Sequence, residues 1–390
     1  MTTVIVHSAT IVSDGVQQDD AWVAFDGAVI SARGDGGDWM PLRGPRTQII
    51  DGSGTILTPG FVDIHVHGGG GASFTDGPEP IAAGLAAHRR HGTTRSVVSL
   101  VTAAPEDIRR QVGDVREVMA VDPLVLGIHL EGPFLADSHR GAHDPGLLRT
   151  PTEAAVGELM DITAGILRQV TLAPELPGGH EAIGRFVETG ATVAVGHTAA
   201  DYEEARAAFD LGASILTHAF NGMNGIHHRA PGPVAAAIDS PGVTLELVGD
   251  GTHVAGTVAR LVSLGAVNRL CLVSDAMAAA ASTDGDYLLG SLAVRVDGGV
   301  ARLVDGGSIA GSTLTMDNAL RFAITELRLD LPAAVAAVTQ VPARALGLAQ
   351  KIGSLAVGYP ADAVMLDGSH QVTRVWANGV PLATDGPYNS

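Results

Sequence analysis

The chain has 390 residues and a formal net charge of −18, with 24 Lys and Arg against 42 Asp and Glu, and 4% of its residues are aromatic. Nucleic-acid binding is not expected, because it needs cations against the phosphates and aromatic rings against the bases, and the same charge disfavours anionic membranes. The single cysteine, Cys271, excludes an internal disulfide, and without a basic leader or a long apolar run neither a signal peptide nor a membrane span is predicted, so we expect a cytoplasmic protein.

Both ends of the chain are predicted to form β-strands. Short apolar runs are separated by turn signals such as Asp14-Gly15, Asp26-Gly27 and Asn378-Gly379. The predicted strands cover residues 4–6, 22–25, 29–31, 49–51, 362–366 and 372–377. Neither end has enough strands to close a core alone, so we predict one small β-sandwich domain built from residues 1–57 and 346–390.

Residues 58–345 alternate between predicted strands and helices. The strands are predicted at 61–67, 94–100, 124–131, 170–174, 191–197, 213–218, 243–249 and 270–275. Helices are predicted at 80–91, 105–119, 151–167, 180–188, 201–211, 234–239, 254–264 and 313–327, and an inserted hairpin at 287–305. This α/β pattern favours a closed (β/α)8 TIM-like barrel, with an open doubly wound sheet as the alternative.

Imidazole and carboxylate side chains lie at the downstream ends of several predicted barrel strands. They are His65, His67, Glu131, His197, His218 and Asp275. In a parallel barrel these strand ends converge on one mouth, and two histidines two residues apart share one face of a strand. Such a ligand set suits a hydrolytic divalent metal.

Each of these residues also has a simpler interpretation, which for His65 and His67 is a polar strand end near solvent. Glu131 needs a partner if it is buried, and that partner is either a metal or Arg140. His197 and His218, taken singly, fit a buried core as well as a ligand set. Asp275 suits either a helix cap or a general base across the mouth from a metal.

Several motifs together resemble the amidohydrolase superfamily. They lie at residues 59–68, 129–134, 141–145, 195–198, 217–223, 250–254, 272–276, 309–312, 342–347 and 353–358. The most discriminating is Glu131-Gly132-Pro133, at a strand end where many amidohydrolases place a modified lysine. The resemblance implies hydrolysis of the acetamide of N-acetylglucosamine 6-phosphate to glucosamine 6-phosphate and acetate.

The resemblance also implies roles for the candidate ligands. Glu131, His197 and His218 would hold one divalent metal ion. Because His65 and His67 are present, a second ion bridged by Glu131 is available, with Asp275 beside it. Zn is the first expectation, and the ligand types also admit Fe, Mn or Co. Asp275 would take the proton of the attacking water and return it to the departing nitrogen.

Substrate contacts follow from the same resemblance. Phosphate binding is implied for Asn221, the backbone at Gly222, and Arg229, which would come from the neighbouring subunit of a homodimer. The remaining contacts are implied for His143 at the sugar, His253 at phosphate or carbonyl, Gly132 and Ile309. Residues 135–140 are interpreted as a mobile flap near the mouth.

Three rival functions remain open at this point. The first is hydrolysis of another N-acyl amino sugar phosphate such as N-acetylgalactosamine 6-phosphate, which differs by one epimeric hydroxyl. The others are a different amidohydrolase reaction, on a cyclic amide for example, and a non-catalytic scaffold on the same fold.

Overall fold

Strands and helices alternate along most of the chain in the computed structural model, which describes residues 3–384. The strands are β1 (Thr3–Ser13), β2 (Val16–Asp26), β3 (Val29–Asp35), β4 (Thr47–Asp51), β5 (Ile56–Pro59), β6 (Phe61–Val66), β7 (Gly68–Gly69), β8 (Ala72–Ser73), β9 (Thr93–Val101), β10 (Val125–Glu131), β11 (Leu167–Leu172), β12 (Thr192–Val195), β13 (Ile215–Leu216), β14 (Thr244–Val248), β15 (Leu270–Val273), β16 (Gly285–Leu289), β17 (Leu292–Asp297), β18 (Val300–Leu303), β19 (Ala363–Leu366), β20 (Val372–Ala377) and β21 (Val380–Leu382). The helices are α1 (Pro78–Arg90), α2 (Pro105–Val121), α3 (Glu153–Thr163), α4 (Gly179–Glu188), α5 (Tyr202–Asp210), α6 (Gly232–Ile238), α7 (Gly256–Gly265), α8 (Met316–Thr325), α9 (Leu331–Val338) and α10 (Gln340–Ala345).

The predicted β-rich unit from both termini is confirmed. Its strands form one sheet in the order β21-β20-β19-β5-β1-β2-β3, and β4 also pairs with β1. The two ends of the chain meet where β5 pairs antiparallel with β19. Phe25, Leu57 and Trp376 are buried in a core of this unit. The exact domain bounds stay a prediction. The predicted boundary between residues 57 and 58 falls inside β5, and residues 1–2 and 385–390 lie outside the described residues.

The predicted parallel barrel is also confirmed. Its strands follow in the order β6-β9-β10-β11-β12-β13-β14-β15. The seam between the first and last strands is closed by a parallel bridge between Val66 and Ala276 and by a hydrogen bond of 2.8 Å from Asp275 N to His65 O. The closed seam excludes the open doubly wound alternative.

The helices predicted between the barrel strands are confirmed, and two further helices were not predicted. These are α9 and α10, which follow α8 before the chain returns to the terminal sheet. The start of α9 carries a recognisable signal, because Asp330 Oδ1 accepts a hydrogen bond of 2.9 Å from Ala333 N, as an N-cap does. None of the helices between residues 3 and 384 is both long enough and apolar enough to cross a bilayer.

The insert predicted as a hairpin has three strands instead of two. Strands β16, β17 and β18 form an antiparallel meander, and the turn predicted around Gly298 joins the last two of them. The predicted segment begins at Tyr287, inside β16, whereas pairing starts at Gly285, and a further turn at Gly290 and Ser291 joins β16 to β17. Leu289, at the end of β16, lines the cavity at the barrel mouth.

Candidate active site

The predicted metal ligands meet at the C-terminal mouth of the barrel and form two adjacent groups. The first consists of His65, His67 and Asp275, and the second of Glu131, His197 and His218. Within each group the candidate ligand atoms lie within 4.8 Å of one another, and all the side chains are buried. The convergence expected from the strand ends is therefore present.

The Glu131 group brings three candidate ligand atoms into mutual contact. Oε1 of Glu131 lies 3.1 Å from Nε2 of His197 and 3.1 Å from Nε2 of His218, and the two nitrogens are 3.0 Å apart. The Nδ1 of His197 lies 2.9 Å from the carbonyl oxygen of His139 and donates to it, so its Nε2 carries a lone pair. A cation with bonds of about 2.0–2.2 Å holds tetrahedral ligands about 3.3–3.6 Å apart, so these three atoms would need to separate by only a few tenths of an ångström to hold one.

Glu131 also joins this group to the first one. Its other oxygen, Oε2, lies 3.1 Å from Nε2 of His67. Within the first group, the Nε2 atoms of His65 and His67 are 3.2 Å apart, and Oδ1 of Asp275 lies 3.5 Å and 3.4 Å from them. Arg140 pairs with Asp137 at 2.8 Å, so the alternative of a salt bridge from Arg140 to Glu131 is wrong.

The charges at the mouth favour a bound cation. Burial raises the pKa of Glu131, but His65 and the contacts of the carboxylate with surrounding imidazoles outweigh it and hold this pKa well below its usual range. Burial likewise opposes ionisation of Asp275, yet His65 and His67 lower its pKa. Burial lowers the pKa of His65, but Glu131 and Asp275 raise it well above its usual value. The site therefore stabilises positive charge although its side chains are largely buried, and its residues fit one or two divalent ions.

Three candidate residues at the mouth have left-handed backbone conformations. The φ angles are 47° at His197, 25° at His218 and 47° at Asp275. Non-glycine residues in this region cost roughly 1–3 kcal/mol each, and such conformations cluster at functional sites. These left-handed residues turn the chain, so β12 ends before His197, β13 before His218 and β15 before Asp275. The three strands are therefore shorter than predicted.

Residues 135–140, predicted as a flap, lie directly against His197. A 3-10 turn at Asp137–His139 carries the carbonyl that accepts from the His197 ring, and Ala136 N donates to His197 O at 2.9 Å. Gly222, with φ 57°, lies near the same ring nitrogen, and a Cβ there would lie 2.7 Å from His197 Nδ1 and 3.0 Å from His139 O. The segment thus helps to position a candidate ligand.

Two buried carboxylates lie behind the candidate ligands: Asp63, which the sequence places on the same strand face as His65 and His67, and Glu246, which the sequence analysis did not single out. Glu246 Oε2 lies 3.1 Å from His65 Nδ1, and Asp63 Oδ2 accepts a hydrogen bond of 2.5 Å from Ser274 Oγ. Burial raises the pKa of Asp63 to about 6. The sequence did contain a signal for Glu246, because it is a carboxylate in the middle of an apolar predicted strand. A carboxylate buried in that position requires a partner. His129 lies behind His65 and hydrogen-bonds to Ser99 and Thr171.

Most of the predicted substrate contacts line one cavity above the ligands. Its volume is about 320 Å³. The predicted contacts among its lining residues are His143, Asn221, Gly222, His253 and Ile309. Burial lowers the pKa of His143 to about 4, so its imidazole is neutral near pH 7. Gly132 does not line the cavity; a Cβ there would overlap Thr102, so the position requires glycine.

The structure does not bring Arg229 to the candidate metal ligands of its own chain. It is exposed and lines a different cavity, of about 550 Å³, together with Tyr202 and His227. The lining of the metal cavity includes no Lys or Arg from the described residues. The lining residue closest to a cation in character is His253. Burial lowers the pKa of its imidazole, but Asp250, whose Oδ2 lies 2.6 Å from Nδ1 of His253, outweighs burial and raises that pKa.

Known proteins resemble this chain over nearly its whole length. The sequence matches the amidohydrolase family over residues 56–382. It is 36% identical over 336 residues to N-acetylgalactosamine-6-phosphate deacetylase from Escherichia coli O157:H7, covering 85% of this chain and 89% of that protein. It is 33% identical over 392 residues to N-acetylglucosamine-6-phosphate deacetylase from Danio rerio, covering 97% and 96%.

A similar solved structure is that of a mutant N-acetyl-D-glucosamine-6-phosphate deacetylase from Mycobacterium smegmatis in complex with N-acetyl-D-glucosamine-6-phosphate. The two chains superpose with a TM-score of 0.92 at 39% sequence identity, covering 98% of this chain and 100% of the other. Together with the ligand geometry, these matches confirm the resemblance seen in the sequence motifs: the chain belongs to the amidohydrolase family.

Proposed function

We propose that this amidohydrolase hydrolyses N-acetylglucosamine 6-phosphate to glucosamine 6-phosphate and acetate. The observation that carries the proposal is the carboxylate of Glu131, which contacts both ligand groups directly beneath a cavity of about 320 Å³. The substrate is inferred from the similar M. smegmatis enzyme, whose complex contains this sugar phosphate. The imidazole and carboxylate ligands suit Zn, and they also admit Fe, Mn or Co.

The reaction needs a strong nucleophile and a protonated leaving group. A bound divalent cation would supply carbonyl polarisation and a lowered pKa for water. Asp275, whose pKa is lowered, accepts the proton of the attacking water at its carboxylate and returns it to the amide nitrogen, because an amine leaves only after protonation. His143, neutral and in contact with Glu131 at 3.5 Å, faces the cavity and orients the sugar.

Phosphate recognition is proposed to involve a second subunit. The metal cavity is lined by no Lys or Arg from residues 3–384, and a net charge of −18 repels a phosphate dianion. Arg229 is exposed on a loop outside this cavity, and an arginine gives a planar fork for phosphate. We therefore propose a homodimer in which Arg229 reaches the neighbouring cavity. A cytoplasmic location stays a prediction.

A second candidate substrate is N-acetylgalactosamine 6-phosphate. The E. coli relative named N-acetylgalactosamine-6-phosphate deacetylase is 36% identical to this chain. The D. rerio relative named N-acetylglucosamine-6-phosphate deacetylase is 33% identical to it, so the identities are similar. The two sugars differ in the configuration of one hydroxyl group. His143, which lines the cavity and is proposed to orient the sugar, is the candidate for distinguishing it.

The proposal is tested by measuring acetate release from both sugar phosphates and from unphosphorylated N-acetylglucosamine. We expect the highest kcat/KM with N-acetylglucosamine 6-phosphate, loss of activity with a chelator, and recovery when a divalent metal is added. A higher kcat/KM with the galactosamine epimer would select the second candidate. Activity that survives complete metal removal would overturn the proposed chemistry.

A further inference from the structure

We propose that Glu246 is a positioning residue that sets the metal affinity of the group formed by His65, His67 and Asp275. The carboxyl group lies on β14, behind His65, and does not face the substrate cavity. The inference rests on the metal-binding part of the proposed function and is independent of the identity of the sugar.

Every hydrogen-bond partner of the Glu246 carboxylate is a donor. Its Oε2 lies 3.1 Å from Nδ1 of His65 and 3.4 Å from the backbone N of His218, and its Oε1 accepts from Nε2 of Gln169 at 2.8 Å. The side chain is completely buried. A buried carboxylate is costly unless such donors satisfy it, and here Nδ1 of His65 is the one ring nitrogen among them.

This arrangement determines which nitrogen of His65 can bind a metal. A carboxylate accepts but does not donate, so the proton of the neutral imidazole is held on Nδ1. The lone pair is then on Nε2, the atom that lies 3.2 Å from Nε2 of His67 and 3.5 Å from Asp275 Oδ1. Glu246 therefore fixes both the tautomer and the orientation of His65, and it increases the basicity of the ligand nitrogen.

The four candidate ligand histidines differ in this respect. The Nδ1 of His197 donates to a backbone carbonyl. Among the described residues, the Nδ1 atoms of His67 and His218 have no hydrogen-bond partner. A carboxylate thus lies behind the imidazole ring of His65 alone of the four, so Glu246 acts on a ligand ring of the first group. Its contact with the second group is limited to the backbone N of His218, at 3.4 Å.

The test compares metal binding by wild-type protein and by Glu246→Gln, which keeps the size of the side chain. Metal-free protein is titrated with Zn²⁺ in competition with a chromophoric chelator, without substrate, and the bound metal is counted by elemental analysis. We expect two ions in the wild type. In the variant, the affinity for one ion should fall by about 10- to 100-fold, and the other ion should bind as before.

Gln169→Leu is the matched control, because it removes a partner of Glu246 without touching His65. It should leave both affinities close to wild type. A double-mutant cycle with His65→Asn should show that Glu246→Gln has no further effect once the ligand is gone. If Glu246→Gln does not fold, Glu246→Asp, which keeps the charge but withdraws it from His65, should weaken the same ion.

Three results would overturn the inference. Unchanged affinities in the Glu246 variants would mean that the carboxylate does not act on the metal. Equal weakening of both ions would indicate a general structural role. If the wild-type protein binds a single ion, there is no second ion whose affinity Glu246 could set. None of these results depends on deacetylase activity, so a failure of the proposed substrate is recognised separately.

Discussion

The hydroxyl of Ser274 donates a hydrogen bond of 2.5 Å to Asp63 Oδ2, and this bond crosses the seam that closes the barrel. Asp63 lies on the first barrel strand, two residues before His65, and its Oδ1 accepts from the backbone N of His65 at 3.2 Å. Ser274 immediately precedes Asp275. The pair therefore ties the strand that carries two candidate ligands to the residue proposed as the proton carrier.

We predict that Ser274→Ala lowers the free energy of unfolding by about 1–3 kcal/mol, because it removes a donor from a buried carboxylate. Urea denaturation of metal-free protein measures the change. The control is Ser53→Ala, since Ser53 donates to Asp51 at 2.6 Å in an exposed pair, and its loss should stay within about 0.5 kcal/mol. Equal effects of the two substitutions would contradict the role assigned to the seam.

Replacing Asp275 by Asn should abolish most turnover while substrate and metal still bind. The carboxylate lines the cavity beside His65 and His67, where the asparagine side chain keeps one oxygen but cannot carry the proton. Loss of a general base lowers kcat by roughly 10²–10⁴-fold or more. Steady-state kinetics, elemental analysis and equilibrium substrate binding check the three parts. A variant with near-normal kcat would show that another group moves the proton.

The double substitution His65→Asn with His67→Gln should lower the metal content by about one ion per chain, because it removes two nitrogen ligands from one group. The Glu131, His197 and His218 group remains, and its ion should be retained. Elemental analysis after dialysis against metal-free buffer gives the stoichiometry. An unchanged content would argue against a second ion, and complete loss would mean that the two groups bind as one unit.

Arg229→Ala should sharply lower kcat/KM for N-acetylglucosamine 6-phosphate and barely change the low rate with unphosphorylated N-acetylglucosamine. A charge-assisted hydrogen bond contributes roughly 1.5–3 kcal/mol, and the bidentate form contributes more. Equal losses with both sugars would mean that Arg229 supports the fold or the dimer and that phosphate is bound elsewhere.

Mixing Arg229→Ala with Asp275→Asn subunits tests whether the arginine acts across the dimer. One site of a mixed dimer then combines an intact Asp275 with the partner's intact arginine, so activity should reappear after subunit exchange. Mixtures no more active than the separate variants would place Arg229 in its own subunit's site, or outside any site. Sedimentation velocity of each variant controls for loss of the dimer.

His88 should make the protein less stable in acid. Its Nε2 lies 2.8 Å from the carbonyl of Gly68 and donates to it, and burial lowers its pKa from 6.5 to about 4. The unfolded chain binds a proton at this residue below pH 6.5 while the native state does not, so stability falls as the pH decreases from about 6.5 to about 4. The loss attributable to this residue is on the order of 3 kcal/mol.

The measurement is urea denaturation of wild type and His88→Gln at several pH values. The glutamine amide can also donate to Gly68 but does not titrate. The free energy of unfolding of the variant should therefore increase relative to that of the wild type as the pH falls. Other titrating groups cancel in this difference. A difference that stays constant from pH 7 to pH 4 would contradict the assignment.

Local sequence patterns predicted the barrel and the convergence of its candidate ligands. Alternation along a strand places His65 and His67 on one face, and parallel strand ends converge wherever the barrel closes, so these residues could be assigned without knowing any distance. The same reasoning located Glu131, His197, His218 and Asp275, and the family motifs agreed with it. Both depend on spacing within a few residues, which a sequence displays directly.

Contacts between distant segments could not be predicted in this way. Asp63 and Ser274 are 211 positions apart, and Glu246 reaches His65 from a strand 181 positions away. An apolar run containing one carboxylate shows that a partner is needed, but only the closed barrel shows which one it is. The exposed position of Arg229 likewise depends on how a loop leaves its strand. Residue types and their periodicity are properties of the sequence, whereas the pairing of buried charges across the barrel is decided by tertiary packing.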